Sequence, residues 1–106
     1  MNEYKPDSWV IIKLPSDHGY KVLGGWSGGY LYGDSWRLNS GIAHIEREGE
    51  YYIIHGYSSS VYICHSSRYT LSITTASIAD SLKKQGAEVM DDREDWTQLL
   101  AEGVLK

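Results

Sequence analysis

The chain has 106 residues, of which 42% are hydrophobic and 23% charged, and its formal net charge at pH 7 is −4. This length holds one hydrophobic core, so we expect a single domain over residues 1–106 without a second domain or a long lid. The acidic balance without a basic patch argues against direct binding to nucleic acid, the apolar runs are too short to span a membrane, and the single cysteine fits a reducing, cytosolic compartment.

The first part of the chain predicts a β-hairpin. Trp9–Leu14 is rich in β-branched residues and ends at Pro15, which has no backbone N–H to donate to a sheet. Residues 16–19 have the composition of a turn. Tyr20–Trp26 again has strand character, so we expect these two strands to pair with each other.

A glycine-rich aromatic stretch, Gly24–Trp36, follows this hairpin and holds five of the 11 glycines and two of the four tryptophans. Glycine allows positive φ and close approach of other groups, and Trp and Tyr supply flat, rigid, amphipathic surface. We interpret the stretch as a glycine-kinked corner of a sheet and as the best candidate binding surface. The candidate binding residues are Trp26, Tyr30, Tyr32, Asp34, Trp36 and Arg37.

Three further strands are predicted in the middle of the chain, over Trp36–Glu46, Tyr51–Tyr57 and Val61–His65. Turns around Gly49 and at residues 58–60 separate them. With the hairpin they give an antiparallel meander of about five strands in one curved sheet.

The last third changes to a helical period. Thr74 or Thr75 is the predicted N-cap of a helix over 74–86, with Gly86 as its C-cap. Residues 87–90 predict a short edge strand, and Asp91 is predicted to open a second helix over 91–102. The expected class is therefore α+β: a mainly β part over residues 1–72, one helix packed on the sheet and a short C-terminal helix.

The letters Gly25-Trp26-Ser27-Gly28-Gly29 match a nucleophile elbow, G-x-S-x-G. That motif needs a strand that turns sharply into a helix, whereas the residues after Gly29 predict turn and strand. No Gly-Lys-Ser/Thr follows, as a P-loop requires, and no helix begins there, as a dinucleotide fingerprint requires. A backbone nest that binds phosphate through the glycine N–H groups stays open as an alternative.

His55, Cys64 and His65 have side chains that suit zinc or nucleophilic chemistry. Cys64 and His65 are adjacent in a predicted strand, so they should point to opposite faces and not share one ion. We therefore predict no metal site, no catalytic residue and no cofactor. A small histidine-dependent hydrolase remains an alternative, and it requires His44, His55 or His65 in a cleft beside an acid or Cys64.

Two segments are unusual as sequences. The first runs over residues 25–42 and contains W-S-G-G-Y and S-W-R-L-N-S-G, and the second, over residues 55–65, reads H-G-Y-S-S-S-V-Y-I-C-H. Through these segments the chain resembles, over roughly residues 9–70, a group of small, mostly uncharacterised proteins of tailed bacteriophages. The pattern of that group leads us to expect a glycine near Ser59, where this chain has none.

The resemblance implies a small accessory protein made in the cytoplasm of an infected bacterium. Such proteins often bind and inhibit host proteins, including anti-phage defences, or capture a defence signalling molecule. We expect a non-catalytic binder of a host protein. One alternative is a sponge for a nucleotide-derived immune signal, for which a symmetric homo-oligomer is expected because such sites often form between subunits. A minor structural protein of the virion is a further alternative.

Overall fold

The computed structural model describes residues 2–15, 19–29 and 33–100. These residues form eight β-strands, one α-helix and short 3-10 turns, including those at Ser66–Arg68 and Trp96–Gln98. The strands are β1 (Asn2–Tyr4), β2 (Ser8–Lys13), β3 (Tyr20–Gly29), β4 (Gly33–Leu38), β5 (Ile42–Glu48), β6 (Tyr51–Gly56), β7 (Ser60–His65) and β8 (Glu88–Val89). The helix α1 (Ile73–Lys84) lies between β7 and β8 in the chain.

The strands form two sheets of four. The first sheet has the order β1-β7-β6-β5 and the second the order β4-β3-β2-β8. All neighbours are antiparallel except β1 and β7, which are parallel. The predicted α+β class and the β2–β3 hairpin are confirmed, whereas the meander of about five strands in one curved sheet becomes eight strands in two sheets.

The difference arises at Asn39–Gly41, in the middle of what the sequence predicts as one strand. Here the chain leaves the second sheet and enters the first. The side chain of Asn39 is buried; its Oδ1 accepts a hydrogen bond from the Val22 N–H at 2.9 Å and its Nδ2 donates to the Gly41 carbonyl at 3.2 Å. The Asn39 N–H also donates to the Val22 carbonyl, so the backbone and the side chain of Asn39 both bond the crossover to β3.

The second sheet is the middle of three layers. Along β2, Trp9 and Ile11 pack against the first sheet, while Val10 and Ile12 pack on the side of α1 with Ala79. Both faces of β2 are therefore covered, which explains its continuous apolar run. The three layers are, in order, the first sheet, the second sheet and α1.

Helix α1 begins close to the predicted position but with a different cap. Ser72 is the N-cap: its side chain accepts from the Thr75 N–H, and the Thr75 hydroxyl accepts from the Ser72 N–H in return. The helix ends at Lys84, and Gly86 has φ +99°. Among the described residues, no helix is long and apolar enough to cross a membrane.

The predicted second helix over 91–102 is wrong in its start. Residues 91–94 are not helical, and the first helical turn begins at Trp96, with Asp95 as its cap. Trp96 is fully buried against Trp9 and Tyr69. The backbone just before residue 91 is held by a long-range hydrogen bond, in which the Tyr69 hydroxyl donates to the Met90 carbonyl. These tertiary contacts override the helix-capping pattern that begins at Asp91. Residues 101 and 102 lie outside the described part.

Candidate functional site at the β3–β4 hairpin

The predicted binding residues lie on β3, on β4 or between these strands in the sequence. Tyr30 and Tyr32 lie outside the described residues, and of Asp34 only the backbone position in β4 is described. The remaining three, Trp26, Trp36 and Arg37, stand on two neighbouring strands, with a register irregularity between Trp26 and Gly29. The predicted glycine-kinked corner is replaced by a hairpin with a register shift, and the chain passes from one sheet to the other later, at Asn39–Gly41.

Trp36 lies on the face of the second sheet that α1 covers. Its cross-strand neighbour is Gly25. A Cβ built on Gly25 would lie 2.8 Å from the Thr75 Cγ2, so the first turn of α1 packs directly on bare backbone. Trp36 stands beside this contact with 45% of its surface exposed.

Arg37 points to the opposite face, towards the first sheet. Its neighbour on β3 is Gly24, and its guanidinium carbon lies 4.4 Å from the centre of the Tyr4 ring. The Tyr4 ring lies 5.1 Å from the Tyr62 ring in the first sheet. Burial raises the pKa of Tyr62, and the positive charge of Arg37 opposes that rise. The exposed guanidinium of Arg37 therefore lies over the ring of Tyr4, which in turn contacts the ring of Tyr62.

Trp26 shares this face but is largely structural. Its indole Nε1 donates to the Lys5 carbonyl at 3.0 Å, and its ring meets Tyr4 edge-on at 6.3 Å. The next residue, Ser27, donates its N–H to Asp7 Oδ2 at 2.9 Å. Trp26 and Arg37 are thus brought together through Tyr4, whereas Trp36 belongs to the other face.

An open groove of about 530 Å³ begins where β3 passes the β1–β2 connection. Its polar and aromatic lining comes from Lys5, Asp7, Ser27, Tyr51, His65 and Arg68. The Asp7 carboxylate is engaged with the Ser27 N–H, while Lys5 and Arg68 bring positive charge. The groove therefore offers cations, hydroxyl groups and one aromatic ring to a small ligand.

The three described histidines all lie on the outer face of the first sheet. His44 and His55 are cross-strand neighbours, and their Nε2 atoms contact the two carboxylate oxygens of Glu46 at 3.1 and 3.3 Å. Hydrogen bonds from His55 and His44 lower the pKa of Glu46. His65 accepts the Ser67 N–H at its Nδ1, 3.1 Å away, and its Nε2 lies 3.4 Å from a carboxylate oxygen of Glu50.

The cysteine lies apart from these histidines. Cys64 is fully buried in the core, while its neighbour His65 reaches the surface, which confirms that the two face opposite sides of β7. Burial raises the pKa of the Cys64 thiol, which makes it a poor nucleophile. Within the described ranges, no three His, Cys, Asp or Glu side chains are arranged to hold a metal ion.

Sequence reasoning missed Tyr4 and Tyr62 as parts of the site. Tyr62 lies within a predicted strand, and Tyr4 lies in an N-terminal segment without a clear pattern. Their contact with Arg37 crosses from one sheet to the other. No local spacing signals it, since it depends on the two-sheet arrangement.

The chain matches no protein-family model, no curated protein and no solved structure. The resemblance to bacteriophage proteins therefore stays a prediction.

Proposed function

We propose that this chain is a non-catalytic binding protein that engages another protein through the end of β4, around Trp36 and Arg37. The observation that carries the proposal is the pair itself: a tryptophan with 45% exposure directly followed by an exposed arginine on one strand. Trp and Arg are the residue types that most often dominate binding energy at protein interfaces.

The free energy gained by covering Trp36 is large enough for a specific contact. Covering the exposed part of Trp36 removes about 100 Å² of mostly apolar surface from water, which is about 2–3 kcal/mol. The Arg37 side chain is already held over Tyr4, so less conformational entropy is lost when a partner carboxylate approaches it. The pairing of β4 with β3 holds the backbone of Trp36 in place before binding.

The class of partner follows from the resemblance to bacteriophage proteins. It implies a protein of the infected bacterium, with a component of an anti-phage defence as one candidate, and the host cytoplasm as the place of action. The burial and raised pKa of the Cys64 thiol argue against this residue as a nucleophile.

The test is a comparison of captured partners between matched variants. Tagged wild-type protein, Trp36→Ala and Tyr57→Ala are expressed in infected cells, crosslinked and analysed by mass spectrometry. Tyr57 is 74% exposed and lies outside β4, beside Gly41, so it controls for the loss of an exposed ring. We expect one host protein captured by the wild type and Tyr57→Ala and lost with Trp36→Ala. Equal capture by all three folded proteins contradicts the proposal.

The groove beside Ser27 favours a second candidate, a sponge for a small anionic, nucleotide-like molecule. Lys5 and Arg68 line this groove with the ring of Tyr51, which suits a phosphate joined to a flat base. Calorimetry with adenosine monophosphate and inorganic phosphate tests it. Binding that Arg68→Gln weakens supports the candidate, and the absence of heat with both probes contradicts it.

A further inference from the structure

We propose that β4 receives an extended segment of the partner protein as an added strand of the second sheet. This inference rests on the proposed function, because it states how the surface around Trp36 and Arg37 engages its partner. The strand order places β4 at one end of that sheet, with β3 as its neighbour. A strand at such an edge has backbone groups that point away from the sheet and can pair with another chain.

The hydrogen-bond register identifies which groups point outward. The Asn39 N–H donates to the Val22 carbonyl, so Asn39 and Val22 form a hydrogen-bonded pair. Bonded and non-bonded pairs alternate along an antiparallel ladder. With Leu23 opposite Leu38 and Gly25 opposite Trp36, the backbone groups of Trp36 and Leu38 face the open edge. The same two residues would carry the main-chain bonds to an added strand.

The other sheet edges are poorer templates. β1 and β8 have three and two residues, which is too short for a stable added strand. β5 is long enough, with seven residues, but four of them are charged or titratable: His44, Glu46, Arg47 and Glu48. Charged side chains of this kind protect an edge from pairing. β4 has two charged residues among its six, Asp34 and Arg37.

The two faces of β4 define the chemistry of the incoming strand. A side chain placed opposite Trp36 lies on the α1 side and would be apolar or aromatic. The following position lies opposite Arg37 and would be acidic, since opposite charges stabilise a cross-strand pair. The segment is therefore an extended peptide in which an apolar and an acidic residue are adjacent.

A second copy of this chain fits the edge less well. If two copies of β4 paired antiparallel about a two-fold axis perpendicular to the sheet, each odd-numbered residue would lie opposite an odd-numbered residue of the other copy. Arg37 would then face Gly33, Ser35 or another Arg37, and none of these is acidic. A strand from another protein can place an acidic residue opposite Arg37, whereas self-pairing cannot.

The test uses a displayed library of random ten-residue peptides selected on the full protein. We expect selected peptides to contain the adjacent apolar and acidic residues. A synthetic peptide from the selection should slow hydrogen exchange of the Trp36 and Leu38 amides by about tenfold or more, because these amides become hydrogen-bonded. A Glu→Gln change in the peptide should weaken binding.

A matched pair of variants tests the backbone bond. Leu38→Pro and Leu38→Ala both remove the leucine side chain, but only proline removes the outward N–H. We expect Leu38→Pro to weaken peptide binding by about tenfold relative to Leu38→Ala. Peptides that need Trp36 but leave both amide exchange rates unchanged overturn strand addition and leave the proposed function standing. Failure to select any peptide, or sedimentation showing self-association lost in Leu38→Pro, also overturns it.

Discussion

Arg37 and Tyr4 join the two sheets at one corner of the molecule, with the guanidinium carbon 4.4 Å from the ring centre. Arg37 stands on β4 of the second sheet and Tyr4 on β1 of the first. The contact therefore fixes the position of the candidate binding strand relative to the other sheet. It also explains why an exposed arginine has a defined orientation before any partner arrives.

The energetic coupling of this pair can be measured with a double-mutant cycle. We expect Tyr4→Leu and Arg37→Met each to lower the free energy of unfolding, with a coupling energy of about 0.5–1 kcal/mol, as for partly exposed cation–π pairs. Urea denaturation of the four proteins gives the value. Strictly additive effects would show that the stacking contributes nothing to the corner.

Gly25 is needed because α1 lies directly on its backbone. Gly25→Ala places a methyl group 2.8 Å from the Thr75 Cγ2, and overpacking of this kind costs about 1–3 kcal/mol. Thr75→Ser removes that methyl group and keeps the hydroxyl used in the capping box. We expect the double variant Gly25→Ala/Thr75→Ser to recover much of the lost thermal stability. A double variant no more stable than Gly25→Ala alone would contradict the proposed clash.

Ser59 adopts φ +67°, a left-handed conformation that favours glycine. This is the position near which the resemblance leads us to expect glycine. We expect Ser59→Gly to raise the free energy of unfolding by about 0.5–1 kcal/mol, because relief of backbone strain exceeds the extra entropy of the unfolded chain. Ser58→Gly is the control, and it should destabilise, since the Ser58 hydroxyl pairs with that of Ser40 at 3.0 Å.

Glu46 makes stability depend on pH in the acid range. Hydrogen bonds from His55 and His44 lower its pKa below the ordinary value of 4.5. A lowered carboxyl pKa contributes stability above the ordinary pKa, and that contribution is lost as the pH falls through the lower folded value. We expect the wild type to exceed Glu46→Gln in stability at neutral pH and to lose that advantage in strong acid. Glu48→Gln, on the same strand, is the matched control, and a pH-independent difference for Glu46→Gln would contradict this assignment.

The sequence pattern predicts the strands and the helix that depend on residues close together in the chain. The β2–β3 hairpin follows from apolar runs on either side of a turn, and α1 from its period and its end before Gly86. The strand predicted over Tyr51–Tyr57 is present as β6, Tyr51–Gly56, with Tyr52 and Ile54 buried.

The remaining features depend on contacts between distant residues. Asn39, Ser40 and Gly41 are residues typical of turns, but the change of sheet at this point depends on the bond between Asn39 and Val22. The extended course before Trp96 depends on the burial of that ring beside Trp9. For the same reason the sequence indicates Trp36 and Arg37 as candidates but not that their strand lies at the edge of a sheet.

Binding of a partner protein through β4 is tested by the affinity of this protein for the captured partner. Calorimetric titration with the purified partner compares wild type, Trp36→Ala and Tyr57→Ala, each shown to be folded by its thermal unfolding. We predict that Trp36→Ala weakens binding by about tenfold to one hundredfold, from the loss of about 2 kcal/mol of apolar burial, while Tyr57→Ala binds as the wild type does. Equal affinities for all three would contradict the account.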